Sequence, residues 1–281
     1  MTVTTRITQL FKEFFASEST GGLILIFATV LALVIANSSW NDAYLDTLHW
    51  IIGGKSLEFW VNDGLMTFFF LLVGLEIERE LYIGELSNRQ AAMLPVSAAI
   101  GGMVIPVAIF ALFNMGGPGI GGFGIPMATD IAFALGILSL LGNRVPFSLK
   151  IFLTALAIID DMGGVLLISI FYAKGLSLMY LGSAAGIFLF MLLLNRLKVW
   201  VLWPYFLLGV GLWICLYQGG IHPTVTGILL AFAIPFGKGD EASPSYWLQH
   251  NLHLPVAYLV MPVFALANAG IAFSASDVDT L

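Results

Sequence analysis

The chain has 281 residues, of which 59% are hydrophobic and 10% are charged, and its mean hydropathy is +0.96. These values exclude a soluble domain and a disordered chain, so the expected solvent is lipid. The net charge of −6 argues against a nucleic-acid partner. The single cysteine, Cys215, excludes an intramolecular disulfide and a cysteine-based zinc site.

Hydropathy divides the chain into about nine apolar stretches, each near the roughly 20 residues that a helix needs to cross the hydrocarbon core. We therefore expect an all-α polytopic membrane protein with a single transmembrane domain over residues 1–281. The polar segment 37–58 predicts an extracytoplasmic hairpin or a contact through which a homodimer forms. The predicted spans are about 20–36, 59–80, 91–114, 120–141, 148–173, 176–195, 199–217, 221–236 and 252–273.

The distribution of basic residues predicts the orientation of these spans. With the N-terminus in the cytoplasm, 9 of the 11 lysines and arginines fall in inside connections. Only Lys55 and Lys174 then lie outside. Because basic residues concentrate on the cytoplasmic side of membrane proteins, this asymmetry favours a cytoplasmic N-terminus.

The fourth predicted span departs from a regular apolar helix. Pro126 removes a backbone donor, and Thr129 has the chemistry to cap a helix that begins at Asp130. We expect a helix broken in mid-membrane, where Asp130 offsets the partial positive charge of a half-helix N-terminus. The alternative is a proline kink with a buried, hydrogen-bonded aspartate.

The fifth predicted span contains two adjacent carboxylates, Asp160 and Asp161. An ionised acid at bilayer depth is unfavourable, so it is expected to face water, a cation or a bound proton. Neighbours on a helix point about 100° apart, so we expect one acid to face a cavity and the other a partner. Two close acids repel when both are ionised, so a proton and a cation compete for the site. Gly163 and Gly164 predict close helix approach beside the pair. The alternative is that both acids are structural.

Several long motifs follow one another in order along nearly the whole chain. In spans four and five they are Ala128-Thr-Asp-Ile-Ala-Phe-Ala-Leu-Gly136, Arg144-Val-Pro146, Lys150-Ile-Phe-Leu153 and Ala155-Leu-Ala-Ile-Ile-Asp-Asp-Met162. Elsewhere they are Ser19-Thr-Gly-Gly22, Phe69-Phe-Leu-Leu-Val-Gly-Leu-Glu-Ile-Glu-Arg-Glu-Leu81, Arg89-Gln-Ala-Ala92, Gly219-Gly-Ile-His-Pro-Thr224 and Pro262-Val-Phe-Ala-Leu-Ala-Asn-Ala-Gly270. These motifs resemble the NhaA-type sodium/proton antiporters of bacterial inner membranes.

The resemblance implies a secondary active antiporter that exports Na⁺, and Li⁺ as well, in exchange for external protons. Such a protein serves intracellular pH and sodium homeostasis, is no enzyme and needs no cofactor. Asp161 then resembles the main cation and proton ligand and Asp160 the accessory carboxylate, so that Na⁺ binds at this pair. Thr129 lines the crossing of the broken helices, and Asp130 balances the helix ends there.

The resemblance also points to positions tied to pH response: Glu76, Arg79, His222 and His253. From the residues alone, the first two and their acidic neighbours Glu78 and Glu80 are interpreted as a solvated helix end. Histidine changes charge near neutral pH, so His222 fits a sensor, but an interfacial histidine fits as well.

The implied fold pairs spans three to five with an inverted copy in later spans, and this second repeat is missing here. We therefore expect a truncated antiporter, with a remnant that inserts but does not transport as the main alternative. An intramembrane aspartyl protease is a remote alternative, because its Gly-x-Gly-Asp signature is missing. A prenyl-diphosphate transferase lacks the Asp-rich motifs and basic residues that it requires.

Overall fold

The computed structural model describes residues 3–127, 145–171, 173 and 175–273 of a mostly helical chain. Short 3₁₀ turns lie at Glu85–Ser87, Pro118–Gly122 and Ile125–Met127. The α-helices are α1 (Val3–Ala36), α2 (Asn41–His49), α3 (Leu57–Phe59), α4 (Met66–Tyr82), α5 (Arg89–Asn114), α6 (Phe147–Phe171), α7 (Leu178–Arg196), α8 (Trp203–Gln218), α9 (Val225–Ala233), α10 (Pro244–Pro255) and α11 (Met261–Asn268).

Among the described residues, four helical stretches are long and apolar enough by themselves to cross a membrane. A fifth is reached if the bent pair Thr20–Ala36 and Asn41–His49, which meet at 113°, forms one span. By contrast, α9 has only nine residues. It rises roughly 14 Å, about half of the hydrocarbon core. The four long stretches are Leu57–Tyr82, Ala92–Asn114, Leu178–Arg196 and Pro244–Asn268.

The segment after α1 contains the one described departure from an all-α structure. Strands Ile51–Ile52 and Lys55–Ser56 form a small antiparallel hairpin in which Ile51 pairs with Ser56. The hairpin turns through Gly53 and Gly54, whose φ angles of 59° and 84° suit glycine. Segment 37–58 therefore folds as a helix followed by a hairpin.

The approach to the predicted helix break is not α-helical. The glycine-rich stretch before Pro126 forms a 3₁₀ turn at Pro118–Gly122, and Pro126 itself lies in a second 3₁₀ turn at Ile125–Met127. The break itself, expected at Ala128 to Asp130, lies outside the described residues, as does the rest of the predicted fourth span to residue 141.

Helices α4 and α9 cross at very short range because two glycines face the contact. A Cβ atom added at Gly227 would lie 2.3 Å from the carbonyl oxygen of Thr67 and 2.6 Å from the backbone nitrogen of Leu71. One added at Gly74 would lie 2.7 Å from Cβ of Ala231. Small residues at helix crossings permit this approach in membrane proteins, where packing drives association. The crossing anchors α4, which carries the candidate residues Glu76 and Arg79 toward its C-terminal end.

Two π-helical turns interrupt long helical stretches and lie near each other. Trp60–Leu65 precedes α4, and Val256–Val260 joins α10 to α11. Val256 and Val260 pack in one buried cluster with Met66 and Leu72 of α4. The α10–α11 stretch is thereby fixed along α4.

The end of α1 is tied to the chain that follows α11. The Asn37 side chain donates to the carbonyl oxygen of Ile271 and accepts from the backbone nitrogen of Phe273, both at 2.8 Å. Nearby, the Tyr44 hydroxyl of α2 donates to the carbonyl oxygen of Leu266 at 2.7 Å. These bonds join the first and last described helices.

Candidate functional site

The acid pair lies in the second half of α6, an apolar helix that contacts α4 and α5. Asp160 is only 5% exposed, whereas Asp161 is half-buried. This difference follows from the helix, because adjacent side chains point about 100° apart. The two carboxylates therefore occupy different surroundings.

The glycines after the acid pair bring neighbouring segments close to α6. A Cβ atom at Gly163 would lie 2.5 Å from the sulfur of Met103 on α5. One at Gly164 would lie 3.7 Å from Cε of Met127, which belongs to the 3₁₀ turn before the predicted break. The chain that leads into the predicted crossing thus contacts α6 one turn from Asp160 and Asp161.

Two of the four predicted cation-site residues, Thr129 and Asp130, lie outside the described residues. Within the described part of the chain, no cluster of three acidic, histidine or cysteine side chains could hold a metal ion. A cation at Asp160 and Asp161 therefore needs further oxygen ligands, from hydroxyls, carbonyls, water or residues outside that part.

The C-terminal end of α4 differs from a solvated helix end. Glu76 and Arg79 are half-buried, but Glu78 is only 3% exposed. The Ser245 hydroxyl, at the start of α10, donates to Oε2 of Glu78 at 3.0 Å. The solvated interpretation is thus wrong for Glu78. Sequence reasoning missed this residue because its partner lies 167 positions away.

His222 lies beside an acid on another segment. Its Nδ1 is 3.8 Å from Oδ1 of Asp63, with the side chains 44% and 19% exposed. The backbone carbonyl of Asp63 accepts hydrogen bonds from Trp213 Nε1 at 2.9 Å and from Thr67 Oγ1 at 2.6 Å. This network fixes the acid that His222 faces.

The predicted pH-response residues do not form one cluster. Glu76 follows Asp63, the neighbour of His222, by 13 positions in one continuous helical stretch. At about 1.5 Å per residue the two positions are roughly 20 Å apart along the axis. His253 is half-buried on α10, which contacts α4. His222, through its contact with Asp63, therefore lies toward one end of the stretch Leu57–Tyr82, and Glu76 lies toward the other end.

The sequence of this chain is similar to a family of known transporters. Residues 12–281 match the family described as Na⁺/H⁺ antiporter 1. The Na⁺/H⁺ antiporter NhaA of Flavobacterium psychrophilum is 58% identical over 276 residues, which cover 98% of this chain and 72% of that relative. The protein of the same name from Cytophaga hutchinsonii is 56% identical over 263 residues, which cover 94% of this chain and 68% of the relative. That from Dechloromonas aromatica is 54% identical over 270 residues, which cover 95% and 69%.

Proposed function

The chain belongs to the Na⁺/H⁺ antiporter 1 family of NhaA-type sodium/proton antiporters, and from this premise we propose how it works. It exports Na⁺, and Li⁺ as well, in exchange for external protons, and so serves intracellular pH and sodium homeostasis. It does so as a multi-pass protein of the bacterial inner membrane with its N-terminus in the cytoplasm. It acts as a carrier without enzymatic chemistry or a cofactor.

The observation that supports this proposal best is the burial of Asp160 in an apolar helix, beside the half-buried Asp161. A buried carboxylate needs a compensating cation, proton or hydrogen bond, because desolvation of an isolated ion is very unfavourable. Asp161, with more access, serves as the main ligand that takes either Na⁺ or a proton. Asp160 assists it, while Thr129 lines the site and Asp130 balances the helix ends.

Control of transport by pH is assigned to the two ends of the helical stretch Leu57–Tyr82. Glu76 and Arg79 form one part, with His253 on the neighbouring α10. His222, facing Asp63 at 3.8 Å, forms the other part. Histidine is the residue type whose charge changes near neutral pH, so a histidine that faces an acid fits a sensor.

Exposed apolar side chains on segment 37–58 support the proposal that the chain forms a homodimer there. Trp40, Trp50 and Ile51 are 70%, 66% and 62% exposed. A second copy that packs on this segment would cover these side chains.

Ion exchange can be measured with the purified chain in liposomes, with an imposed pH gradient and ²²Na⁺ as tracer. We expect uptake above that of empty liposomes. Asp161→Asn keeps the size of the side chain but removes its charge, so it should abolish uptake. Asp160→Asn should change the coupling of Na⁺ to H⁺ while transport persists. The control is Asp46→Asn, an exposed acid on α2, which should transport like the unaltered chain.

The same assay separates the alternatives. Normal exchange by Asp161→Asn would refute the assignment of the main ligand. An unaltered chain that inserts but takes up no ²²Na⁺ would favour a remnant without transport. An intramembrane aspartyl protease would instead cleave a membrane-embedded peptide, and Asp161→Asn would stop that cleavage.

A further inference from the structure

A cavity of about 580 Å³ lies where the end of α4 meets the ends of α7 and α9. Its volume is within the range of small-molecule sites in proteins. Its lining includes three polar side chains, those of Glu78, Asn195 and Lys238, and the apolar or aromatic side chains of Tyr82, Ile83 and Phe236. None of the residues assigned to ion exchange or pH response lines this cavity.

Opposite charges line different parts of the cavity. Glu78 is 3% exposed, and Ser245 Oγ donates to its Oε2. Within the described part of the chain, its other oxygen, Oε1, accepts no hydrogen bond. Lys238 is exposed and forms no ion pair with a described acid. The cavity therefore offers an anion inside and a cation at its edge, a pattern that fits a ligand with both charges.

The inner part of the cavity suits a group with several N–H donors. A buried carboxylate without a cation is unfavourable, so Oε1 of Glu78 favours a positively charged donor. Asn195 donates a hydrogen bond from its Nδ2 to the carbonyl oxygen of Ala233 at 3.0 Å, and its amide oxygen Oδ1 is a second potential acceptor among the lining residues. A primary ammonium group donates three hydrogen bonds and can use both acceptors, whereas a trimethylammonium group donates none.

The edge of the cavity has the aromatic side chains typical of the headgroup level of a membrane. Tyr82 is 64% exposed and stacks on Phe236 with ring centroids 4.9 Å apart. Trp200, 44% exposed, packs so closely on Gly237 that an added Cβ atom would lie 3.1 Å from its ring. Trp203, nearby in the chain, is also exposed. The ligand is therefore most readily supplied by the bilayer.

We propose that this cavity binds the headgroup of a phosphatidylethanolamine molecule. Its ammonium donates to Glu78 and Asn195, its phosphate lies near Lys238, and its glycerol and upper acyl chains lie along Tyr82 and Ile83. In the proposed orientation this lipid comes from the cytoplasmic leaflet. The inference depends on insertion of the chain into a membrane, and it holds whether or not the chain exchanges ions.

Lipid retention by the unaltered, purified chain tests the site directly. The protein in detergent is mixed in turn with dioleoyl phosphatidylethanolamine, phosphatidylcholine and phosphatidylglycerol, and bound lipids are counted by native mass spectrometry. We expect phosphatidylethanolamine to bind about tenfold more tightly than phosphatidylcholine, because charge-assisted hydrogen bonds are lost on methylation. Phosphatidylglycerol, which has no ammonium, should bind as weakly. Equal binding of phosphatidylethanolamine and phosphatidylcholine would overturn the proposal, and this comparison needs no variant.

Variants then locate the headgroup. Glu78→Gln should remove the preference for phosphatidylethanolamine over phosphatidylcholine, and Lys238→Gln should weaken binding of both lipids. The matched control is Lys198→Gln, an exposed lysine outside the cavity, which should bind like the unaltered chain. A preference that survives Glu78→Gln in folded protein would refute the site. Displacement of the lipid by millimolar O-phosphoethanolamine would identify a free zwitterion as the occupant and overturn the lipid assignment.

Discussion

Replacement of Gly227 by alanine inserts a methyl group into the crossing of α4 and α9. The new Cβ atom would lie 2.3 Å from the carbonyl oxygen of Thr67, 2.6 Å from the nitrogen of Leu71 and 2.9 Å from the carbonyl carbon of Phe70. All three are backbone atoms of the neighbouring helical stretch, so no side-chain rotation can relieve the overlap. The two helices must move apart.

The expected loss of stability follows from this overlap. Overpacking a well-packed contact usually destabilises by about 1–3 kcal/mol, and backbone contacts favour the upper part of that range. Alanine is intrinsically better than glycine in a helix by about 1 kcal/mol, which offsets part of the loss. We expect a net destabilisation of about 2 kcal/mol, which lowers the unfolding midpoint by roughly 4–8 °C.

Thermal unfolding of the purified protein in detergent, followed by tryptophan fluorescence, measures this loss. The matched control is Gly186→Ala on α7, where an added Cβ atom would meet nothing within 4 Å. It should keep the midpoint or raise it slightly, because only helix propensity changes there. If Gly227→Ala unfolds at the same temperature as the control, the two helices do not cross as closely as described.

Two further predictions concern orientation and a buried hydroxyl. Single cysteines can be placed at exposed positions in a chain with Cys215→Ser. Those at Ser87 and Ala242 should be shielded from an impermeant thiol reagent added outside, and one at Ser39 should react with it. The opposite labelling pattern would reverse the topology. Thr226 is 1% exposed, and its Oγ1 has no hydrogen-bond partner in the described part of the chain. Thr226→Val should therefore leave the unfolding midpoint unchanged or raise stability by about 1 kcal/mol, and a clear loss would indicate a partner for the hydroxyl.

The sequence predicts the helical membrane character well because lipid requires long apolar helices. The residue at which a helix ends is predicted from local sequence signals. The predicted span 221–236 extends to Phe236, yet α9 ends at Ala233, because Ile234 precedes Pro235 and takes an extended conformation with ψ of 140°. That signal was present in the sequence.

The environment of the acids at the end of α4 could not be predicted in the same way. Glu76 and Glu78 point about 200° apart on the helix, so at most one of them faces a given neighbour. Leu75 and Ile77 flank Glu76, whereas the charged Arg79 and Glu80 follow Glu78, and this pattern does not say which face of the helix packs against protein. Which of the two acids is buried depends on Ser245, which lies 167 positions from Glu78, and on the glycine crossing that sets the position of α9. For the acid pair, helix geometry predicts a cavity for one acid and a partner for the other, and the structure shows that Asp160 is the more buried of the two.

The bonds of Asn37 have a consequence for how the protein is made. Its partners Ile271 and Phe273 lie 234 and 236 positions further along the chain. At translation rates of about 5–20 residues per second, roughly 12–47 s separate the synthesis of the two sides. During that interval the end of α1 lacks these later partners, while its Leu23, Phe27 and Val34, which are exposed in the folded chain, can already contact lipid. The described helices can be closed into one bundle only when the ribosome has passed residue 273, so the Asn37 bonds are a late event in membrane insertion.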